Sequence, residues 1–187
     1  MAARAAAGFD FSQCWQQAGY EVLENCGAAV LDLQQAPRAP RLSRLALTSR
    51  EFMLPQMLLQ ADCLINMSKF RVAEGRLFGS ALKNLAALAD LPPTEEFPRA
   101  LVDLYSIIMP DLHIIDALPG RRGWQPQAQG ALLAASDGPA LDLTLAALAA
   151  LPGNRIEEIA LAAQYGLGST NAADISLVGD AAALFNK

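Results

Sequence analysis

Short apolar runs that alternate with helix-period segments constrain this chain more than any other feature. Residues 63–67, 111–118 and 131–135 are apolar runs of strand length, each bounded by charged, glycine or proline residues. Helical stripes follow them. Leu82, Leu85 and Leu88 share one face of a segment spanning about 78–89, and Leu101, Leu104, Tyr105 and Ile108 share one face of 97–108. A third stripe, Leu141, Leu145 and Leu148, runs toward Ala150 among alanines that allow close packing. Alternation of this kind predicts an α/β fold, a mostly parallel sheet with helices on both faces. At 187 residues, with 53% apolar and 18% charged residues, the chain is expected to form a single domain with its core at about 10–180.

The remaining elements are shorter. Residues 11–18 read as a helix with Asp10 as N-cap and Gly19 as its stop, and 28–33 as a strand. Residues 34–41, with Pro37, Pro40 and the cations Arg38 and Arg41, read as a solvated connector that continues to Arg44. A weak strand is expected at 42–47, one or two helical turns at 55–60, and a glycine- and proline-rich loop at 119–126. Asn154 and Glu157 match a capping box, 166–168 ends that helix, 175–178 reads as an edge strand and 180–185 as a helical turn.

Composition excludes several functions. A formal charge of -5 and a pI near 4.8 argue against nucleic acid and anionic lipid as partners. No uninterrupted apolar run reaches the length of a membrane span, and the first residues carry too short an apolar region for a secretory signal, so a cytoplasmic protein is expected. Cys14, Cys26 and Cys63 are odd in number and lack C-x-x-C spacing, which fits reduced thiols and neither a disulfide framework nor an iron-sulfur or zinc site. The single histidine, His113, stands inside an apolar strand pattern and reads as a core or edge residue. A triad hydrolase would have His113, inside a strand, as its one possible base, and the G-x-S-x-G elbow is absent, so triad hydrolysis is not expected.

The chemistry therefore concentrates at strand-to-helix junctions, first of all in residues 62–85. There an apolar strand gives way to a basic loop containing Gly75 and Gly79, and a helix carries Lys83 and Asn84. Lys69, Arg71, Lys83 and Asn84 could together hold a carboxylate or phosphate, or they could be solvated charges. The spacing of Gly79 and Lys83 is not that of a P-loop. Asp116, at a strand end, is a candidate to orient a ligand hydroxyl or a metal, or to tie backbone amides. Asp137 reads as the N-cap of the next helix, and Asp142, inside an alanine- and leucine-rich helix, needs solvent or an opposing cation from the first group.

These residues also carry a resemblance. Residues 61–71, Ala81-Leu82-Lys83-Asn84-Leu85, Pro110-Asp111-Leu112-His113-Ile114-Ile115-Asp116, residues 135–142, Gly166-Leu167-Gly168 and Leu177-Val178-Gly179 resemble, in order and spacing, the domain of unknown function family 362. The resemblance spans about 10–180. It implies an α/β domain with a redox-linked or ligand-handling role, often beside ferredoxin-like iron-sulfur modules, so a ferredoxin-like partner is implied. No iron-sulfur motif lies in this chain, and its cofactor is left unknown. The chain departs from the pattern: Ser68 to Ala73 stand where the family has Pro-Lys-x-Lys-Thr-His, Ala87 and Gln125 replace glycines, and a first βαβ portion is missing that a partner chain would supply. The expected function is binding of a small anionic metabolite or cofactor in a redox-linked pathway. The alternative is a degenerate, non-catalytic scaffold or homo-oligomerisation domain.

Overall fold

A computed structural model describes residues 2–3, 10–48, 51–73, 76–117, 130–153 and 156–180. The amino-terminal part comprises β1 (Ala2–Ala3), α1 (Phe11–Gln17), α2 (Glu21–Asn25), β2 (Leu31–Asp32), β3 (Arg38–Leu42), β4 (Glu51–Pro55) and α3 (Gln56–Gln60). It is followed by β5 (Ile65–Lys69), β6 (Arg71–Ala73), β7 (Arg76–Gly79) and α4 (Ala81–Leu85), which continues as a 3-10 turn over Ala86–Leu88. Then come α5 (Phe97–Ile108), β8 (Leu112–Ala117), β9 (Ala131–Ala135), α6 (Gly138–Leu148), α7 (Glu157–Gln164) and a last 3-10 turn, Ala172–Asp174. Helices and strands mix along the whole chain, so the α/β class holds.

The strands form small sheets, and the expectation of one mostly parallel sheet gives way to a mixed arrangement. Three strands stand in the order β5-β8-β9, with β5 and β8 parallel and β9 antiparallel to β8. The parallel ladder is possible because α4 and α5 lie between β5 and β8 in the chain and supply the crossover. No helix among the described residues separates β8 from β9, and an antiparallel return requires none. β1 pairs with β2, β3 with β4 and β6 with β7, each as a separate two-stranded sheet.

Several boundaries also move. The expected connector at 34–41 is partly β3, where Pro40 is tolerated because β3 has a partner on one side only. Arg38 is not merely solvated: its guanidinium donates to the carbonyls of Met53, Leu88 and Leu33 and pairs with Asp90. The basic loop after β5 is a hairpin, and α4 starts at Ala81 rather than Phe78 because Ser80, in extended backbone, accepts the Lys83 amide as N-cap. Residues 175–178 form no strand. The loop at 119–126, Asn154 of the expected capping box and the turn beyond 180 lie outside the described residues.

Period-two alternation divides the three-stranded sheet into two different faces. The inner face presents Asn66, His113 and Ala135 in one row and Ser68, Ile115 and Leu133 in the next. Against it pack α4 and α6, with α5 on α4 and α7 on α5 and α6. Leu82, Leu85, Leu101, Leu104, Ile115, Leu141 and Leu145 fill the core between them, joined by Phe52 and Leu54 from β4 and by Phe70. The outer face presents Ile65 beside Leu112, Met67 beside Ile114 and Ala134, and Lys69 beside Asp116 and Leu132. Ile65, Met67, Leu132 and Ala134 are exposed there.

Candidate functional site

The sheet separates the residues that the sequence suggested as one site. Lys69 and Asp116 are register partners at the carboxyl ends of β5 and β8, on the outer face. The Lys69 Nζ stands 2.9 Å from Asp116 Oδ1, and both side chains keep partial access to solvent, 29% and 44%. Arg71 opens β6 just beyond them and is exposed. Its strand partner is Gly79, where a side chain would collide with the Lys69 carbonyl.

Lys83 and Asn84 are on the helical side, and both have internal partners. Lys83 Nζ lies 2.7 Å from Glu158 Oε1, joining α4 to α7 through a glutamate that is buried. Asn84 donates from Nδ2 to Asn66 Oδ1 at 2.7 Å and to the Met67 carbonyl at 3.0 Å. The group expected to close around one anion is thus split, because Ser68 and Lys69, as successive strand residues, point to opposite faces.

Asp142 is fully buried and has no cation against it among its hydrogen-bond partners. It accepts from Ser80 Oγ at 2.8 Å and from the backbone amides of Ala81 at 2.6 Å and Leu82 at 3.1 Å. The first turn of α4 therefore satisfies this carboxylate, in place of the opposing cation that the sequence suggested. Free amides at a helix start are partial positive charges and serve the same purpose. Burial still pushes the Asp142 carboxyl up from 3.8 to about 6, against the opposing effect of its three donors, and the nearby Glu158 charge adds to the rise.

Asp137 is the expected N-cap of α6, with Oδ1 accepting from Ala140 N at 2.9 Å. Its Oδ2 also accepts from Ser169 N at 2.7 Å. Gly168 is needed for this, since a Cβ there would stand 2.5 Å from Asp137 Oδ1 and the backbone has a φ of +147°. The Gly166-Leu167-Gly168 segment noted in the sequence thereby gains a physical reason: it lets the chain after α7 close on the α6 cap.

Between the two capped helix starts lies a polar cluster that periodicity alone did not reveal. Asn66 Nδ2 donates to the Ala81 carbonyl at 2.7 Å and to His113 Nδ1 at 2.9 Å. Nδ1 must then be an acceptor, which places the imidazole proton on Nε2. His113 is fully buried, as expected for a core histidine, and its Nε2 has no hydrogen-bond partner. Gly138 makes room for the ring, because a Cβ there would come within 2.9 Å of Cε1 and Nε2. The Tyr105 ring lies 6.0 Å away, and its hydroxyl accepts from Gly138 N at 3.3 Å. Burial lowers the His113 pKa, partly offset by Asp137, and raises that of Tyr105, an effect to which Asp137 and Asp142 add. Tyr105 was read only as part of a core-facing stripe, and Asn66 and Glu158 carried no pattern that marked them out.

Among the described residues no cluster of histidine, cysteine and acidic side chains could hold a metal, and no helix is long and apolar enough to cross a membrane. Cys26 and Cys63 are exposed free thiols. No curated protein and no solved structure matches the chain. A family model described as "Domain of unknown function (DUF362)" matches residues 2–147, most of the chain including β5, α4, β8 and the start of α6, and the chain belongs to that family.

Proposed function

We propose that this domain binds a small molecule carrying an anionic group and a hydrogen-bond donor, at the carboxyl ends of β5 and β8. One observation carries the reading: the partly exposed Lys69–Asp116 ion pair spans the parallel ladder at its carboxyl end, with exposed Arg71 adjacent. Ligands of open α/β sheets are bound in the crevice outside the carboxyl ends of their parallel strands. Here β5 and β8 are the parallel pair, and Lys69 and Asp116 lie at their carboxyl ends. Lys69 and Arg71 supply cations for the anionic group, and Asp116 accepts from a hydroxyl or ammonium. Lys83, Asn84, Asp137 and Asp142 support the fold beneath this edge. The redox-linked setting and the ferredoxin-like partner belong to this reading as its biological context. Calorimetry with inorganic phosphate tests the site. Lys69→Ala is expected to weaken binding about tenfold or more, and Lys83→Ala to leave affinity unchanged while lowering stability. Phosphate affinity that is absent in the native chain, or indifferent to Lys69 and Arg71, refutes it.

A second reading, a non-catalytic assembly domain, is favoured by a separate observation: the apolar outer face of the three-stranded sheet is exposed. The two readings are compatible, since a ligand-holding domain can also be assembled into a larger protein.

A further inference from the structure

We infer that the outer face of the β5-β8-β9 sheet is the docking surface for one amphipathic helix of a partner protein, lying along the strands. The face is apolar across its centre. Met67, Ile114 and Ala134 form one row, Ile65 and Leu112 flank it at the amino end and Leu132 at the other. Met67 on β5 is 61% exposed and Leu132 on β9 64%, so both edge strands present a large apolar side chain to solvent on this face. Sheets containing parallel ladders normally have helices over both faces, and here α4 and α6 cover the inner one.

Size selects the occupant. Three strands spaced by about 4.8 Å, paired over five residues in each ladder at about 3.3 Å per residue, give a footprint of about 14 by 17 Å, or about 240 Å². A stable homodimer buries about 800 Å² on each partner, so a second copy seated on this face alone falls well short. A helix is about 10 Å across and spans about 17 Å in about 11 residues, which fits the face in both dimensions. A single helix does not close a large interface either, and the remaining affinity has to come from charge at its two ends.

Charge supplies the direction. Asp62 and Asp111, both exposed, precede β5 and β8 at the amino edge of the face. Lys69 and Arg71 stand at the carboxyl edge, with Asp116 the register partner of Lys69. A partner helix with Lys or Arg in its first turn and Asp or Glu in its last turn meets opposite charges at both ends. Its macrodipole has the same sense, positive over Asp62 and Asp111 and negative over Lys69 and Arg71. The helix therefore runs in the same direction as β5.

Two synthetic alanine-rich peptides of about 14 residues test this on the full chain. Both carry the same leucine stripe; one has basic residues first and acidic residues last, and the other has the reverse. The reversed peptide is the better helix in isolation, because its end charges suit its own dipole, so a preference for the first peptide has to come from the protein. The expected result, read by calorimetry, is binding of the first peptide at least about tenfold tighter than the second, with loss of binding in Met67→Glu and in Leu132→Glu. Both positions are exposed, so unchanged melting curves should accompany that loss. Loss of phosphate binding in Lys69→Ala alone concerns the anion site and leaves helix docking standing. Equal affinity for the two peptides, or binding indifferent to Met67→Glu, overturns the inference. So does a native dimer in sedimentation equilibrium that Met67→Glu dissociates, which would make a second copy the occupant.

Discussion

Asp142→Asn should remove a large part of the pH dependence of stability between pH 4 and 7.5. In the folded protein the Asp142 carboxyl is pushed up from 3.8 to about 6, chiefly by burial. A carboxyl whose folded pKa lies above its unfolded one binds its proton more tightly in the native state. Its contribution to stability is therefore complete below about pH 4 and is lost as pH rises through about 6. At about 1.36 kcal/mol per pH unit, the interval from 3.8 to about 6 corresponds to about 3 kcal/mol. Asparagine has nearly the same shape, does not titrate and offers one acceptor, so its amide nitrogen meets a donor among Ser80, Ala81 and Leu82. That mismatch costs about 1–3 kcal/mol at any pH.

Urea unfolding of the native chain and the variant at a series of pH values separates the two effects. The variant should be the less stable protein at pH 4 and should recover, relative to the native chain, by about 3 kcal/mol on reaching pH 7.5. The comparison between the two proteins is essential, because His113 works in the opposite direction. Its folded pKa is lowered, so its contribution is present above its unfolded value of 6.5 and is lost on acidification through the lower folded value. That contribution is common to both proteins and cancels in the difference. A stability gap between native chain and variant that stays constant from pH 4 to 7.5 refutes the assignment of a raised pKa to Asp142, whatever the absolute profiles look like.

Two further outcomes follow from the same region. Lys83→Met should destabilise by about 2–4 kcal/mol, because it leaves the buried Glu158 carboxylate without its cation; adding Glu158→Gln should recover part of the loss, which a double-mutant cycle by denaturant unfolding measures. Gly138→Ala should cost about 1–3 kcal/mol in thermal unfolding, since the new methyl meets the His113 ring at 2.9 Å and Leu82 Cδ1 at 3.3 Å. His113→Ala in the Gly138→Ala background should relieve the clash; an equally destabilising Gly138→Ala there would place the strain elsewhere.

Local rules in the sequence reached as far as local structure. Asp10 and Asp137 act as caps where expected, Gly19 stops α1 at a φ of +71°, and α5 and α6 lie on their predicted stripes. Each of these depends on residues within a turn or two of one another. The sense of β9 was not legible, because an apolar run of five residues has the same pattern in either direction and no sequence signal between β8 and β9 distinguishes return from crossover. β3 was hidden by its prolines, and its strand identity depends on pairing with β4, where Arg38 stands opposite Pro55 and Leu42 opposite Glu51.

The site was only partly legible for a related reason. Residue type identified Lys69, Arg71, Lys83, Asn84, Asp116, Asp137 and Asp142 as the polar groups that needed explanation, and each lies next to a strand end or helix start. Which of them share a surface depends on strand register, since a step of one residue along β5 moves a side chain from one face of the sheet to the other. Asn66 and Ser68 consequently belong to the helix side with Lys83 and Asn84, whereas Lys69 faces outward with Met67. The division assigns different work to the two sets. On the inner side Asp142, Asn66, Asn84 and Glu158 satisfy the α4 start and bind α4 to β5, α6 and α7, so changing any of them should alter stability before it alters binding. On the outer side Lys69 and Asp116 border an exposed apolar surface, with exposed Arg71 two residues beyond Lys69, so these polar residues are the ones whose loss should be felt in recognition while the fold stays intact.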